Sequence, residues 1–164
     1  YERVAVVPTE HAGLSEVALS ADSRLLVAGG TGGIVVVVDL QRREIVHEFK
    51  ADDVRVLDIV IDPRMRFVAT GGTDKLVRIW DVATWAEITN LESPNVPRGM
   101  AINPSGTRLV AGTLDGRLRI WDTETFELVL RPLQRPSIWS LSFTDDGRDL
   151  VTTSNLFAEI LRGG

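Results

Sequence analysis

Short apolar runs alternate along the chain with polar, turn-forming residues, and these runs are regularly spaced. Residues 76–81 read Leu-Val-Arg-Ile-Trp-Asp, and the last four of these residues recur 41 positions later at 119–122. A weaker copy, Val-Val-Val-Asp at 36–39, lies 42 positions before the first. Because a fixed period of about 20–50 residues is typical of repeat proteins, the pattern predicts a repetitive architecture. It favours a function carried by an extended surface rather than by one catalytic pocket.

A second phrase, an apolar pair followed by small residues, raises the number of copies to four. The copies start 42, 41 and 41 residues apart, at 26–30, 68–72, 109–113 and 150–154. A turn-forming segment precedes each copy and carries a side chain that can bond the backbone two residues on. These side chains belong to Ser20, Asp62, Asn103 and Thr144. We therefore expect a hairpin before each small-residue strand.

Each repeat contains short β-prone runs and no sustained helical periodicity, which disfavours both a helical repeat and a βαβ fold. Four strands are expected per repeat. The first strands are predicted at about 14–19, 56–61, 98–102 and 138–143, and the polar last strands at about 44–49, 86–91 and 127–131. The repeats themselves are predicted at about 8–49, 50–91, 92–133 and 134–164 of a single domain.

Four-stranded units in series predict an all-β fold of the β-propeller type, in which blades pack face to face around an axis. The polar last strand of each unit fits the solvent-facing edge of a blade. The four valines at 35–38 fit a middle strand that neighbouring blades cover on both faces, rather than an adhesive, aggregation-prone segment.

Charge and composition narrow the classes of function. The 164 residues carry a formal net charge of −5, which argues mildly against binding to nucleic acid or to an anionic membrane. The chain has no cysteine, which excludes disulfides and cysteine-based zinc sites and fits a reducing compartment. No apolar run approaches the roughly 18–20 residues of a membrane span. We therefore expect a cytoplasmic protein.

The order and spacing of these phrases resemble those of the WD-repeat β-propeller family. Residues 138–147, Ile-Trp-Ser-Leu-Ser-Phe-Thr-Asp-Asp-Gly, are similar to the family's first strand and hairpin, and residues 70–81 to its second turn and third strand. The resemblance covers nearly the whole chain. It implies about four four-stranded blades, which is half of a ring or part of one, since rings in this family commonly have seven.

Blades of this family often contain a buried chain of hydrogen bonds through a Trp indole, a Ser or Thr hydroxyl, a His ring and an Asp of the tight turn. Such a chain satisfies polar groups that would otherwise be buried without partners. In the second repeat the resemblance places Trp80, Thr70 and Asp74 in this structural network, with Asp52 in the histidine position.

The other repeats keep less of the network. The third supplies Trp121 and Asp115, with Ala111 in the hydroxyl position and Ser93 near the histidine position. The remaining positions are held by Val38, Gly32 and the nearby His11 in the first repeat and by Thr152, Gln134 and Leu161 in the fourth. We therefore expect apolar packing to contribute more to stability than this network does.

The ends of the sequence suggest how the ring is completed. The fourth repeat stops after its third strand, and residues 1–7 lie where the outer strand of some blade belongs. In the family an N-terminal strand typically completes the last blade, which removes an exposed sheet edge. We expect the ring to be completed either by a second copy, giving a homodimer, or by additional blades of a longer parent.

The sequence offers no convincing catalytic, metal or cofactor site. His11 and His47 are the only histidines and lie 36 residues apart, too few for a Ser–His–Asp arrangement or a paired metal site. The Gly-Gly-Thr-Gly-Gly segment at 29–33 lacks the Lys and the following helix of a phosphate-binding loop. Aspartates that recur at the repeat period indicate architecture rather than catalysis. We therefore predict a protein that is not an enzyme and carries no cofactor.

The most concrete functional hypothesis is a protein–protein interaction scaffold. The resemblance implies that a protein or peptide partner binds the loops that precede the first strands and the turns between second and third strands. The candidate partner-binding residues at these positions are Arg98, Trp139, Leu57, Thr73 and Leu114. Trp139 fits blade packing equally well. The alternative function is a small-ligand sensor or an enzyme that uses the central channel.

Overall fold

A computed structural model describes residues 6–130, 137–154 and 158–162. Within these ranges it contains β-strands and turns, and no helix there is long and apolar enough to cross a membrane. The strands are β1 (Leu14–Leu19), β2 (Leu25–Gly30), β3 (Ile34–Asp39), β4 (Glu44–Lys50), β5 (Val56–Ile61), β6 (Phe67–Gly72), β7 (Leu76–Asp81), β8 (Glu87–Glu92), β9 (Pro97–Ile102), β10 (Arg108–Thr113), β11 (Leu118–Asp122), β12 (Leu128–Leu130), β13 (Ser140–Phe143), β14 (Asp149–Thr153) and β15 (Ala158–Arg162).

These strands form four antiparallel meanders, here called the first to fourth sheets: β1–β4, β5–β8, β9–β12 and β13–β15. The first strands of consecutive sheets contact one another, β1 with β5, β5 with β9 and β9 with β13. They therefore line a common axis, while the last strands lie at the exposed periphery. The prediction of an all-β fold with about four blades of the propeller type is confirmed, the fourth blade having three strands within the described residues.

The strand register places equivalent residues of the four repeats at equivalent cross-strand positions. The residue in the Trp position always pairs with the second residue of the preceding small-residue strand. The pairs are Leu26 with Val38, Val68 with Trp80, Leu109 with Trp121 and Leu150 with Leu161. Leu161 thus stands in the fourth repeat where the resemblance expects a tryptophan.

The four turn-forming side chains do hold the hairpins, but over a longer span than expected. Ser20 Oγ accepts hydrogen bonds from the backbone N–H groups of Arg24 and Leu25 at 3.1 and 2.8 Å. Thr144 Oγ1 accepts one from the N–H of Asp149 at 3.1 Å. The bonds therefore reach four or five residues along the chain rather than two. The reason is that each side chain spans the whole turn and meets the first residues of the next strand.

Three apolar clusters lie between consecutive sheets and form the core. Val35 and Val37 of β3 pack with Val68 and Trp80 of the second sheet. A second cluster joins the second and third sheets around Ile79. A third joins the third and fourth sheets. Since alternate residues of a strand point to opposite faces, β3 and β6 are buried on both sides, as predicted for the valine run, whereas β15 of the fourth sheet is partly exposed.

Val36 and Val38 point to the opposite face of the first sheet. There they line a mainly apolar cavity of about 260 Å³ together with Val7, Leu14, Leu26 and Ile45. This face has the same aliphatic character as the faces that pack between sheets.

Some predictions fall on parts of the chain that the structure does not cover. Residues 1–5 of the expected outer strand at 1–7, and Gln134 in the fourth repeat, lie outside the described residues. Val6 and Val7 are described and belong to no strand. Ring closure by this segment therefore stays a prediction.

Candidate partner-binding face

The hydrogen bond expected between Trp80 and Thr70 is present in the second sheet. Trp80 is 6% exposed, and its Nε1–H donates to Thr70 Oγ1 at 2.9 Å. Its ring centroid lies 4.4 Å from that of Phe49 on β4. The bond therefore fixes an aromatic side chain that joins the second sheet to the first.

Asp52 organises the loop that leads into β5. This side chain is 3% exposed. Its Oδ1 accepts hydrogen bonds from the backbone N–H groups of Val54 and Arg55, both at 2.6 Å, and from Thr73 Oγ1 at 2.9 Å. Its Oδ2 accepts one from the N–H of Asp74 at 3.2 Å. Although burial acts to raise it, these bonds hold the pKa of Asp52 below its usual value.

The predicted network member Asp74 has a different role from the one the resemblance implies. A histidine could donate a hydrogen bond to the Asp74 carboxylate, but the ionised Asp52 can only accept hydrogen bonds. Asp52 therefore contacts the Asp74 backbone. The Asp74 carboxylate pairs instead with Arg78 Nη1 at 2.5 Å and accepts a hydrogen bond from the N–H of Leu76 at 3.0 Å.

The third sheet lacks this arrangement. Trp121 is 3% exposed and packs in the same cluster as Ala111, which has no hydroxyl to offer it. Ser93 Oγ is buried and has no hydrogen-bond partner among the described residues. Asp115 accepts a hydrogen bond from Thr113 Oγ1 at 2.5 Å. Burial acts to raise the pKa of Asp115, but the hydrogen bond from Thr113, the charge of Arg117 and a hydrogen bond from Asn95 hold it below its usual value. The predicted network residues of this sheet therefore do not form one hydrogen-bonded chain.

The loops before the first strands and the turns between second and third strands lie together at one end of the sheets, here called the loop end. It comprises residues 51–55, 73–75, 93–96, 114–117 and 137–139. Backbone hydrogen bonds join these loops: Thr73 N–H to Arg55 O at 3.2 Å, Ser93 N–H to Lys75 O at 2.9 Å and Ile138 N–H to Thr113 O at 3.1 Å. The loops are therefore held in place by one another.

Two of the predicted partner-binding residues meet at the loop end. Arg98 is half-buried at the start of β9, and its guanidinium carbon lies 4.9 Å from the centroid of the Trp139 ring. Trp139, just before β13, is 42% exposed. A guanidinium over an indole face is a favourable cation–π arrangement that leaves the edge of the guanidinium free to bind.

The other three predicted residues differ in their accessibility. Leu114 is 36% exposed at the β10–β11 turn. Thr73 is half-buried, and its hydroxyl is engaged by Asp52. Leu57 is only 8% exposed and offers little surface to a partner. The accessible part of the predicted set is thus Arg98, Trp139 and Leu114.

Two side chains with several hydrogen bonds, Asp58 and Arg66, were not singled out from the sequence. Asp58 of β5 accepts hydrogen bonds from the N–H groups of Ile59 and of Met100 on β9, and burial raises its pKa to about 7. At the opposite end of the sheets, Arg66 donates to the fully buried Asp62 at 2.7 Å and to Gly106 O in the third sheet at 2.6 Å. The only sequence sign of Asp58 is one acid inside an apolar run.

The axis between the first strands contains a cavity of about 310 Å³. Its lining consists mostly of aliphatic side chains, including Ile59, Met100 and Leu141. Within the described ranges, no group of three or more His, Asp or Glu side chains is placed to hold a metal ion.

Comparison with known proteins identifies a family whose repeats match this chain. The family model of the WD domain, G-beta repeat, matches residues 43–81 and 87–122. Each match starts at or beside the last strand of one sheet and ends with the third strand of the next. The matched segments therefore run across the junctions between blades.

Several curated proteins are similar in sequence. Over 151 residues, 90% of the chain, it is 29% identical to WD repeat-containing protein 90 of Mus musculus and covers 8% of that protein. It is 36% identical over 93 residues, 56% of the chain, to 14% of Echinoderm microtubule-associated protein-like 2 of Mus musculus. It is 26% identical over 140 residues, 82% of the chain, to 18% of Transducin beta-like protein 3 of Bos taurus. The chain thus spans less than a fifth of these relatives.

Proposed function

The chain belongs to the WD-repeat family, and we propose that it acts as a non-enzymatic scaffold that binds a protein or peptide at the loop end. The observation that carries this proposal is the Arg98–Trp139 pair, with its exposed indole and half-buried guanidinium. Trp and Arg are the residue types that most often dominate binding energy at protein interfaces. WD-repeat relatives support the general role, while the residues and the partner are specific to this proposal.

The surroundings of the pair suit an interface. Val54 is 65% exposed and Leu114 is 36% exposed, so apolar side chains accompany the Arg98–Trp139 pair at the loop end. Because the loops are fixed by backbone hydrogen bonds, binding requires little additional ordering of the protein. A mixed surface of this kind, with an aromatic and Arg centre, favours a protein partner.

The aliphatic lining of the axial cavity also supports binding rather than chemistry. Specific catalysis requires convergent polar groups, whereas Ser142 is the one polar side chain among the described residues that line this cavity. We therefore retain the scaffold as the proposed function instead of a channel-based enzyme or small-ligand sensor.

The apolar cavity on the outer face of the first sheet supports a second part of the proposal. Val36 and Val38 are buried beside this cavity and have the same aliphatic character as Val35 and Val37 at a junction between sheets. We propose that a further blade, or a second copy of the chain, covers this face in the complete assembly. A monodisperse monomer of the 164-residue chain, measured by light scattering at micromolar concentration, would contradict the second-copy version.

The scaffold proposal is tested by quantitative capture of proteins from a cell extract on immobilised chain. We expect at least one protein to be captured by the wild type and lost with the double variant Arg98→Ala/Trp139→Ala. Arg148→Ala, an exposed arginine of the hairpin at the opposite end, should retain it. Partners that are captured equally by the double variant, or lost only with Arg148→Ala, would contradict the proposal.

A further inference from the structure

The loop end carries cations without carboxylate partners. Arg55, Lys75 and Arg98 make no ion pair within the described residues. Arg55 Nη2 instead donates a hydrogen bond to Ser15 Oγ at 3.2 Å, and Arg98 stacks on Trp139. Each of the three lies in, or directly beside, the loops that hydrogen-bond to one another. Three positive charges at this end are therefore available to a ligand.

Three acidic side chains of the same end are engaged in ion pairs. Asp74 pairs with Arg78 at 2.5 Å, Asp115 with Arg117 at 3.4 Å and Asp53 with Lys50 at 3.8 Å. Asp52 is buried and surrounded by hydrogen-bond donors, as described above. Glu16, which accepts a hydrogen bond from Ser15 Oγ at 3.2 Å, and Glu92, beside the 93–96 loop, are exposed acids of this end. The three unpaired cations are therefore not cancelled by direct ion pairs, although the whole chain carries a net charge of −5.

Aromatic and cationic groups occupy matching positions in neighbouring blades. Ser15, Leu57, Arg98 and Trp139 are equivalent residues at the starts of the four first strands. Their side chains therefore follow one another around the mouth of the axis, from the Arg55–Ser15 contact to the Arg98–Trp139 pair. A short extended segment lying across this row would meet guanidinium groups and then an indole face.

On the premise of the scaffold function, we propose that the ligand of the loop end is an acidic peptide segment. Its carboxylates would pair with Arg98 and Arg55, and its apolar residue would pack on Trp139. A guanidinium stacked on an indole is pre-oriented to bind a carboxylate through paired N–H groups, which strengthens the contact. The exposed Leu114 and Val54 add apolar contact at either side.

Nucleic acid shares the negative charge but fits less well. Phosphate backbones are bound through many basic contacts, whereas this end offers three unpaired cations on a protein of negative net charge. A peptide needs only two or three carboxylates and one apolar anchor. The charge available at the loop end therefore favours the peptide.

The test uses three labelled heptapeptides and the 164-residue chain. The probes are Ser-Glu-Leu-Glu-Phe-Glu-Ser, the same peptide with Gln at each Glu position, and the same with Lys. Fluorescence anisotropy in about 50 mM NaCl should give the Glu peptide at least a fivefold lower Kd than the Gln peptide, and the Lys peptide the weakest binding. The preference should decline as salt is raised, since the contacts are exposed.

Variants assign the preference to residues. Arg98→Gln should weaken the Glu peptide about two- to fivefold and leave the Gln peptide nearly unchanged, while Arg98→Lys keeps most of the preference. Trp139→Ala should weaken both peptides about tenfold. Arg148→Ala, at the opposite end, should alter neither. Melting temperatures identify any variant that fails through misfolding.

Several results would overturn the proposal. The first is that the Glu peptide does not bind at millimolar concentration, and the second is that the Glu and Gln peptides have equal Kd values. The third is that an oligo-dU of twelve nucleotides binds more tightly than the Glu peptide and that its binding depends on Arg98. Equal binding of all three peptides, weakened by Trp139→Ala, would reject the acidic ligand and retain the scaffold face. Capture from extract that is independent of both residues would reject the scaffold face itself.

Discussion

The second and third sheets build the same tight turn by opposite means. Gly72 and Thr113 occupy equivalent positions, as do Asp52 and Ser93, 41 residues apart in each case. In the second sheet a Cβ at Gly72 would lie 2.1 Å from Asp52 Oδ2, so the carboxylate takes the space of a missing side chain. In the third sheet Thr113 fills that space itself and is fully buried.

The two solutions connect the turn to different parts of the chain. Asp52 reaches from the preceding loop and binds Thr73 and the Asp74 backbone, so neighbouring loops are tied together. Thr113 bonds within its own turn, donating to Asp115 and accepting from the N–H of Arg117 at 3.1 Å. Gly72 leaves space that the Asp52 carboxylate fills, whereas Thr113 fills the equivalent space itself, so the small Ser93 suffices in the preceding loop.

Removal of Asp52 should give the largest effect. Asp52→Ala leaves the N–H groups of Val54, Arg55 and Asp74 and the Thr73 hydroxyl without their shared acceptor. We expect a loss of about 3 kcal/mol in the free energy of unfolding at pH 7, measured by urea denaturation. A loss below about 1 kcal/mol would mean that Asp52 does not hold the loop.

The Asp52→Ala variant should also differ from wild type in how its free energy of unfolding depends on pH. The folded-state pKa of Asp52 lies below its unfolded value of about 3.8, so its contribution is present above that value and is lost as the pH falls through the folded pKa. The difference between wild type and Asp52→Ala should therefore shrink as the pH is lowered from 5 to 3. A constant difference would contradict the role of the charged form.

Asp58 sharpens the comparison, because its equivalent in the third sheet is Gly99. Asp58 has two backbone donors, fewer than Asp52, and burial raises its pKa to about 7. A raised pKa means that the folded state binds the proton more tightly than the unfolded chain does. Its contribution is fully present below about pH 3.8 and is lost as the pH rises towards 7.

Asp58→Asn should remove this pH dependence. Relative to wild type, the variant should gain roughly 2–3 kcal/mol in the free energy of unfolding between pH 5 and pH 8. Denaturation curves at matched pH values measure the gain, and Asp53→Asn, at a fully exposed acid, serves as the control. Parallel pH profiles for wild type and Asp58→Asn would contradict a raised pKa.

The second sheet contains the Trp80–Thr70 hydrogen bond and the third sheet has no counterpart of it. Loss of this bond should lower the free energy of unfolding by less than the changes above. Thr70→Val keeps the shape but leaves the buried Trp80 Nε1–H without its acceptor, at a cost of about 1.5 kcal/mol. A double-mutant cycle with Trp80→Phe should show a coupling free energy of about 1 kcal/mol. Trp121→Phe measures the loss of ring volume at the equivalent site, where Ala111 has no hydroxyl. A coupling near zero would exclude the bond as a contributor.

The strands were predictable from sequence because they depend on patterns that repeat. The apolar runs at 41–42-residue spacing predicted the bounds of the strands to within one or two residues. Leu161 was assigned to the tryptophan position of the fourth repeat, and the strand register places it there. The Trp80–Thr70 bond was also predictable, since both residues were retained. These features require only that each repeat folds like its neighbours.

The contacts that depend on exceptions were not predictable in the same way. Replacing a donor histidine by the acceptor Asp52 redirected Asp74 to Arg78, which the family pattern could not indicate. The raised pKa of Asp58 depends on how closely β9 approaches β5. Leu57 lies in the expected position but is covered by neighbouring residues. Side-chain environments between blades are tertiary properties, and a periodic pattern does not contain them.

Ser93→Ala is the smallest change and the direct counterpart of Asp52→Ala. The Ser93 hydroxyl is buried without a partner among the described residues, so the native serine incurs a desolvation cost and gains no hydrogen bond there. We expect the free energy of unfolding to change by no more than about 0.5 kcal/mol, or to rise. A loss above about 1 kcal/mol would show that a bound water or another group satisfies the hydroxyl. In that case the loop before β9 would be held by a counterpart of Asp52, and the two sheets would differ less than their side chains suggest.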